Sequence, residues 1–149
     1  MATETERKFL VTGDFKPEAT SHSDIVQRYL VIDPDKTVRI RISGGKAFLT
    51  IKAKPAEGAI SRSEWEFGIP VEDAVEMLKM CLPGKIEKTR YLVPSGKHTF
   101  EVDVFHGKNE GLVIAEIELQ SETEEFEKPG WLGEEVTGNP RYYNANLIR

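Results

Sequence analysis

Charged residues of one sign recur two apart along this chain. Glu4 and Glu6 open it, and Arg39/Arg41, Glu64/Glu66, Lys88/Arg90, Glu101/Asp103 and Glu116/Glu118 follow. Lys8, Lys52, Lys54 and Arg62 fall at the same alternate spacing in their own segments. Residues two apart on a β-strand share a face, so each pair points one way while Val38, Ile40 and Ile42, or Phe100, Val102 and Val104, point the other. A half-buried antiparallel sheet shows such alternation without any special purpose. Ordinary solvent faces, however, mix Thr, Ser, Gln and Lys, whereas these are almost purely ionic. Two like charges about 7 Å apart repel by roughly 2.4 kcal/mol at an effective dielectric near 20. Repulsion of that size, repeated strand after strand, calls for compensation: multivalent cations for the carboxylates and a polyanion for the Arg and Lys pairs.

Carboxylates clustered without His or Cys favour hard, oxygen-seeking cations, Mg²⁺ or Mn²⁺, over zinc or copper. Arg and Lys opposite them match the oxygens of a phosphate chain, with Arg able to bind two at once. Together they describe phosphoryl or nucleotidyl transfer. No Gly-x-x-x-x-Gly-Lys-Ser/Thr sequence is present, which excludes a P-loop, and Gly44-Gly45-Lys46 reads as a hairpin turn.

The elements that must position these groups are about eight strands, near 4–11, 25–32, 37–43, 46–54, 61–69, 86–92, 98–105 and 111–120. Turn signals such as Asp33-Pro34-Asp35, Gly44-Gly45 and Pro94-Ser95-Gly96 separate them, and short connections predict antiparallel neighbours. Eight strands suffice to close a small barrel. With the ionic face inward, the apolar face points out and must be covered by helices and the C-terminal tail. An amphipathic helix is expected after Pro70, with Val71, Ala74, Val75, Leu78 and Leu82 on its apolar stripe, and a short second one from Glu122 to Lys128. The fold class is therefore mainly β, one domain over residues 1–149, without linker or repeat.

At 149 residues, 39% hydrophobic and 30% charged, the chain has an ordinary globular composition. Its net charge of −5 argues against non-specific nucleic-acid binding. No stretch is apolar enough for a membrane span or signal peptide, so the cytosol is the expected location. Cys81 is the only cysteine and sits in an apolar helical context, so it is read as a small core residue. His22, His98 and His106 lie far apart in polar turns and suggest no metal site. Strand surface left uncovered by the helices leaves a homodimer open.

The ordered series Glu4-x-Glu6-x-Lys8, "QRYL" (27–30), "RIR" (39–41), "TIK" (50–52), "SRSEWE" (61–66), "EKTRY" (87–91), "FEVDVF" (100–105), "AEIEL" (115–119) and "GEEVTGNPRYYN" (133–144) resembles the CYTH superfamily of triphosphate tunnel metalloenzymes. The resemblance spans the whole chain. It implies a closed eight-stranded antiparallel β-barrel with helices packed outside, Mg²⁺ or Mn²⁺ dependence, and a triphosphate-containing substrate. Carried over, Glu4, Glu6, Glu116 and Glu118 would be metal ligands, with Glu64, Glu66 and Asp103 as weaker candidates. Lys8, Arg39, Arg41, Lys52, Arg62, Lys88 and Arg90 would hold the triphosphate. Tyr29 resembles a tunnel tyrosine that works with a lysine, here Lys52 or Lys88, to assist departure of the leaving phosphate; a barrel aromatic with a satisfied hydroxyl is the competing reading. Lys54 and Glu101 could sit solvated near a tunnel mouth, and Arg7 has the parity of an outside residue. The compact pattern is most similar to the short bacterial-type inorganic tripolyphosphatases, which would hydrolyse inorganic triphosphate to pyrophosphate and phosphate. A class IV-type adenylyl cyclase or a nucleoside or thiamine triphosphatase is the alternative, and a non-catalytic polyphosphate-binding module is an alternative of another class.

Overall fold

The structure, a computed structural model, describes residues 3–148. Eight antiparallel strands run in the order expected: β1 (Thr3–Val11), β2 (Ser21–Ile32), β3 (Lys36–Ser43), β4 (Lys46–Ala53), β5 (Ser61–Ile69), β6 (Ile86–Ser95), β7 (His98–Phe105) and β8 (Val113–Glu118). Their spatial order is β5-β4-β3-β2-β6-β7-β8-β1, and β1 returns to β5 through Thr3↔Ser63, Glu4↔Arg62 and Thr5↔Ser61. The barrel is closed. A short ninth strand, β9 (Leu132–Glu135), which alternation did not reveal, lies along the free length of β1. Local chemistry sets the hairpins: Gly44, at φ 60, opens the two-residue turn joining Ser43 to its partner Lys46.

Cross-strand partners share a face, so the register fixes what points inward. Glu6 faces Glu118, Lys8 faces Glu116, Arg90 faces Asp103, Tyr29 faces Arg39, and Lys52 faces Glu64. The other face carries the main apolar cores. Phe9, Val93, Phe100, Val102, Ala115 and Ile117 are buried beneath Phe15 and Trp131, with Phe126 edge-on to both Phe9 and Phe100. On the β3–β4 side, Ile40 and Ala47 pack under Ala74 of α1 (Val71–Leu78). No helix among the described residues is long and apolar enough to cross a membrane.

Several expectations need correction. The apolar stripe of α1 runs through Val71, Ala74, Met77 and Leu78; Val75 is exposed, and Leu82 lies beyond the helix, where its N–H donates to the Tyr29 carbonyl. Residues 122–128 form turn and irregular chain rather than a helix, because Glu124 is used locally: its carboxylate accepts the Gln120 N–H and meets His98. The tail does not simply cover the outside. Leu147 joins Ile86, Phe105 and Ile114, whose register partners Gln27, Lys88 and Asp103 mark them as inward residues, and so fills one end of the barrel interior with apolar groups. Finally, the outer face of β5 is uncovered at Trp65 and Phe67.

Phe100 is wholly buried and touches both Phe126 and Trp131. Phe100→Ala is expected to cost about 3–5 kcal/mol of stability in chemical denaturation; a loss near zero would mean that the loop carrying Phe126 and Trp131 does not seal this core.

Candidate active site

The inward ionic residues enclose a central cavity of about 130 Å³ with no apolar lining. Glu4, Glu6, Arg39, Arg41, Lys52, Glu64, Glu66, Arg90, Glu101, Glu116 and Glu118 all reach it, together with Asn144 from the tail. Seven strands contribute one or two of these side chains each, which is what alternate spacing on a closed sheet produces. Lys8 and Arg62 line an adjoining chamber with Tyr29, Thr37 and Thr50.

Some charges are already compensated within the wall. Glu4 lies between Lys52 and Arg62, accepting from Lys52 Nζ and from Arg62 Nε, both at 3.1 Å. Burial opposes its ionisation, but the two cations outweigh that and hold its carboxyl below the usual range. Glu66 accepts from Thr50 Oγ1 at 2.9 Å and from Arg41 Nη2 at 3.4 Å. Asp103 is fully buried; Arg90 grips it bidentately at 2.8 and 2.9 Å, and Lys88 Nζ is 2.8 Å from Oδ2.

Other charges are only partly compensated. Arg39 and Arg41 share the one Glu66 carboxylate, at 3.9 and 3.4 Å; burial, and then Arg39 and Arg90, lower the hold of Arg41 on its proton, and the Nε atoms of Arg39 and Arg41 are buried with no hydrogen-bond partner among the described residues. Burial raises the carboxyls of Glu64, Glu101 and Glu118 above their ordinary value. Burial, and then the neighbouring Glu116, raise the Glu6 carboxyl well above its ordinary value, while Lys8 and the contact with Glu6 outweigh burial and lower Glu116 well below it. Such a wall has guanidinium donors for an anion and an adjacent carboxyl pair that suits a cation.

Among the described residues, no three His, Cys, Asp or Glu side chains form a finished metal cage. That suits a hard cation held by one or two carboxylates and completed by substrate phosphates, as Mg²⁺ commonly is. Glu6 and Glu116 fit that role by donor chemistry, with Glu118 directly opposite Glu6.

Nearly all the residues expected from sequence converge here. Lys88 and Asp103 are the exceptions: neither lines the cavity, because Asp103 is taken up by Lys88 and Arg90 inside the wall. Glu101 sits at the rim with its side chain 42% exposed, Lys54 is exposed, and Arg7 is outside, paired with Glu135. Three residues had no role assigned from sequence. Thr50 holds Glu66, Asn144 enters from the tail, and Gln27 is fully buried with neither amide atom hydrogen-bonded among the described residues. Gln27 shares its face with Tyr29 two residues on, so alternation could have nominated it.

A closed β-barrel whose interior offers oxygen ligands to a hard cation and guanidiniums to a polyanion defines a protein that handles condensed phosphate within its own walls. The chain belongs to the CYTH family, since the CYTH domain matches residues 2–149. It is 47% identical over 150 residues to an inorganic triphosphatase of Acetivibrio thermocellus, covering 100% of this chain and 95% of that one. It is 41% identical over 152 residues to an inorganic triphosphatase of Nitrosomonas europaea, covering 97% and 96%. A crystal structure of an inorganic triphosphatase superposes with a TM-score of 0.68 at 34% identity, covering 99% and 95%. Triphosphatases of this family are metal-dependent.

Burial pushes the Lys88 ammonium from 10.5 down to about 8, against the pull of Asp103. The unfolded chain therefore binds this proton more tightly, so this group makes the fold more stable as pH rises from about 8 towards 10.5. Carbon-13 NMR of labelled lysine Cε should show one resonance titrating near pH 8, the value burial gives Lys88; its absence in wild type, or its persistence in Lys88→Met, would contradict the buried pair.

Proposed function

We propose that this protein hydrolyses inorganic triphosphate to pyrophosphate and phosphate within the barrel, using Mg²⁺ or Mn²⁺. The observation that carries this reading is the central cavity itself, which brings the Arg39, Arg41 and Arg90 guanidiniums together with the adjacent Glu6 and Glu116 carboxyls and is lined by charged side chains and one amide. The naming of relatives at 47% and 41% identity supports it. Arg39, Arg41 and Arg90 hold the phosphate chain across the cavity, and Lys8, Lys52 and Arg62 hold its inner end. Glu6 and Glu116 hold the metal, with Glu4 and Glu118 beside them and Glu64 and Glu66 bordering the site. When bound, the metal supplies Lewis-acid polarisation of phosphoryl oxygens and a more acidic water. In the net reaction water oxygen bonds to a terminal phosphorus and its proton passes to solvent, the bridging P–O bond breaks, and pyrophosphate departs with the bridging oxygen, its charge stabilised by Lys52, with Tyr29 close by in the same chamber. Lys88 contributes positive potential through the wall and keeps Arg90 and Asp103 aligned, and Asp103 is a structural partner rather than a ligand.

The protein incubated with Mg²⁺ or Mn²⁺ and, separately, tripolyphosphate, ATP and thiamine triphosphate should release phosphate fastest from tripolyphosphate and form no cyclic AMP. Cyclic AMP from ATP would instead establish a cyclase. Glu6→Gln should lower metal-dependent kcat on the order of a hundredfold or more while the fold survives. Arg41→Ala should raise KM roughly tenfold to a hundredfold, the size of a lost charge-assisted contact; an unchanged KM would remove Arg41 from the binding set.

We also propose that two copies pair across the uncovered outer face of β5, where Trp65 and Phe67 are 37% and 54% exposed. Sedimentation should give a dimer that Phe67→Lys converts to monomer; a monomeric wild type at high concentration would refute the pairing.

A further inference from the structure

The charged interior is segregated. The central cavity is lined by both carboxylates and cations, but the adjoining chamber, about 70 Å³ in volume, has only Lys8, Arg39, Lys52 and Arg62 as its charged lining. Hydroxyl-bearing Tyr29 and Thr50 complete it, with no carboxylate among the described residues. Asn144 borders both spaces. It is brought there by a firmly held tail: Lys8 Nζ donates to the Tyr142 carbonyl at 3.1 Å, Asn146 Nδ2 donates to the Pro140 carbonyl at 2.7 Å, and Leu147 is buried in the apolar end of the barrel. The Asn146 amide is thus spent on the tail itself. The Asn144 side-chain amide, half-buried, makes no hydrogen bond to the protein among the described residues.

We propose that Asn144 is a substrate-contacting residue whose Nδ2–H donates to the phosphate chain where it passes from the mixed cavity into the cation-only chamber, which receives the chain's end. This rests on the reading of the ligand as a condensed phosphate. Phosphate oxygens only accept hydrogen bonds when ionised, so a wall of ammonium, guanidinium, hydroxyl and amide donors matches them, and a carboxylate in the same place would repel them. The tail then fixes how far a chain can enter, because Asn144 and its neighbours Tyr143 and Ala145 bound the chamber.

The isosteric pair Asn144→Asp and Asn144→Ala separates contact from folding. Binding of tripolyphosphate is measured by calorimetry in EDTA, and initial rates with Mg²⁺ give KM and kcat, alongside the melting temperature of each variant. Asn144→Asp should weaken binding and raise KM by about tenfold or more, Asn144→Ala should do so by less, and kcat and melting temperature should stay near wild type. Dissociation constants and KM of Asn144→Asp within twofold of wild type would overturn the proposal, as would a loss confined to melting temperature. A wild type that binds tripolyphosphate without hydrolysing it would sink the hydrolase reading and leave the binding comparison to decide on Asn144. A wild type that neither binds nor hydrolyses it would sink both.

Discussion

Three residue pairs between β1 and β5 turn one face of a sheet into an interior. Without that closure, alternate Glu, Arg and Lys residues would face water, where their mutual repulsion is weak and their attraction for a ligand equally so. Inside the closed wall each charge is felt more strongly, and the wall sorts itself. Glu4 is held by Lys52 and Arg62, and Asp103 by Lys88 and Arg90. Of these, Lys88 and Asp103 are withdrawn into the wall, whereas Glu4, Lys52, Arg62 and Arg90 still line the cavities and, with Arg39, Arg41, Glu6 and Glu116, are what a ligand meets. The closure therefore does more than make a container: it divides one population of charges into a structural set and a binding set.

That division was not legible in the sequence. Alternation is a local property with a period of two, so the eight barrel strands and the inward direction of Glu4, Glu6, Arg39, Arg41, Glu116 and Glu118 could be read directly from it. Which of those charges would neutralise each other is a matter of register between strands far apart in the chain. Lys88 and Asp103 look like ligand-binding residues by parity and turn out to form an ion pair with one another inside the wall.

The misread elements share a similar origin. The acidic stretch around Glu122–Lys128 has the composition of a helix, yet Phe126 must pack edge-on against Phe9 and Phe100, and that distant demand overrides local preference. The stripe of α1 passes through Met77 instead of Val75 because the helix crosses β3 and β4 at an orientation that periodicity does not specify. Asn144 has no periodic neighbour at all. It reaches the cavity only because Leu147 and Tyr142 dock elsewhere.

The greasy filling at one end of the barrel, where Ile86, Phe105 and Ile114 meet Leu147, bears on how the ionic wall keeps its shape. A shell lined throughout with ions would tend to collapse or splay whenever its ligand left. Here an oil-like keystone props the strands apart at one end, together with the cores outside. The ionic half can then keep its shape in water, so its guanidiniums stand poised before substrate arrives and little reorganisation is left for the moment of binding.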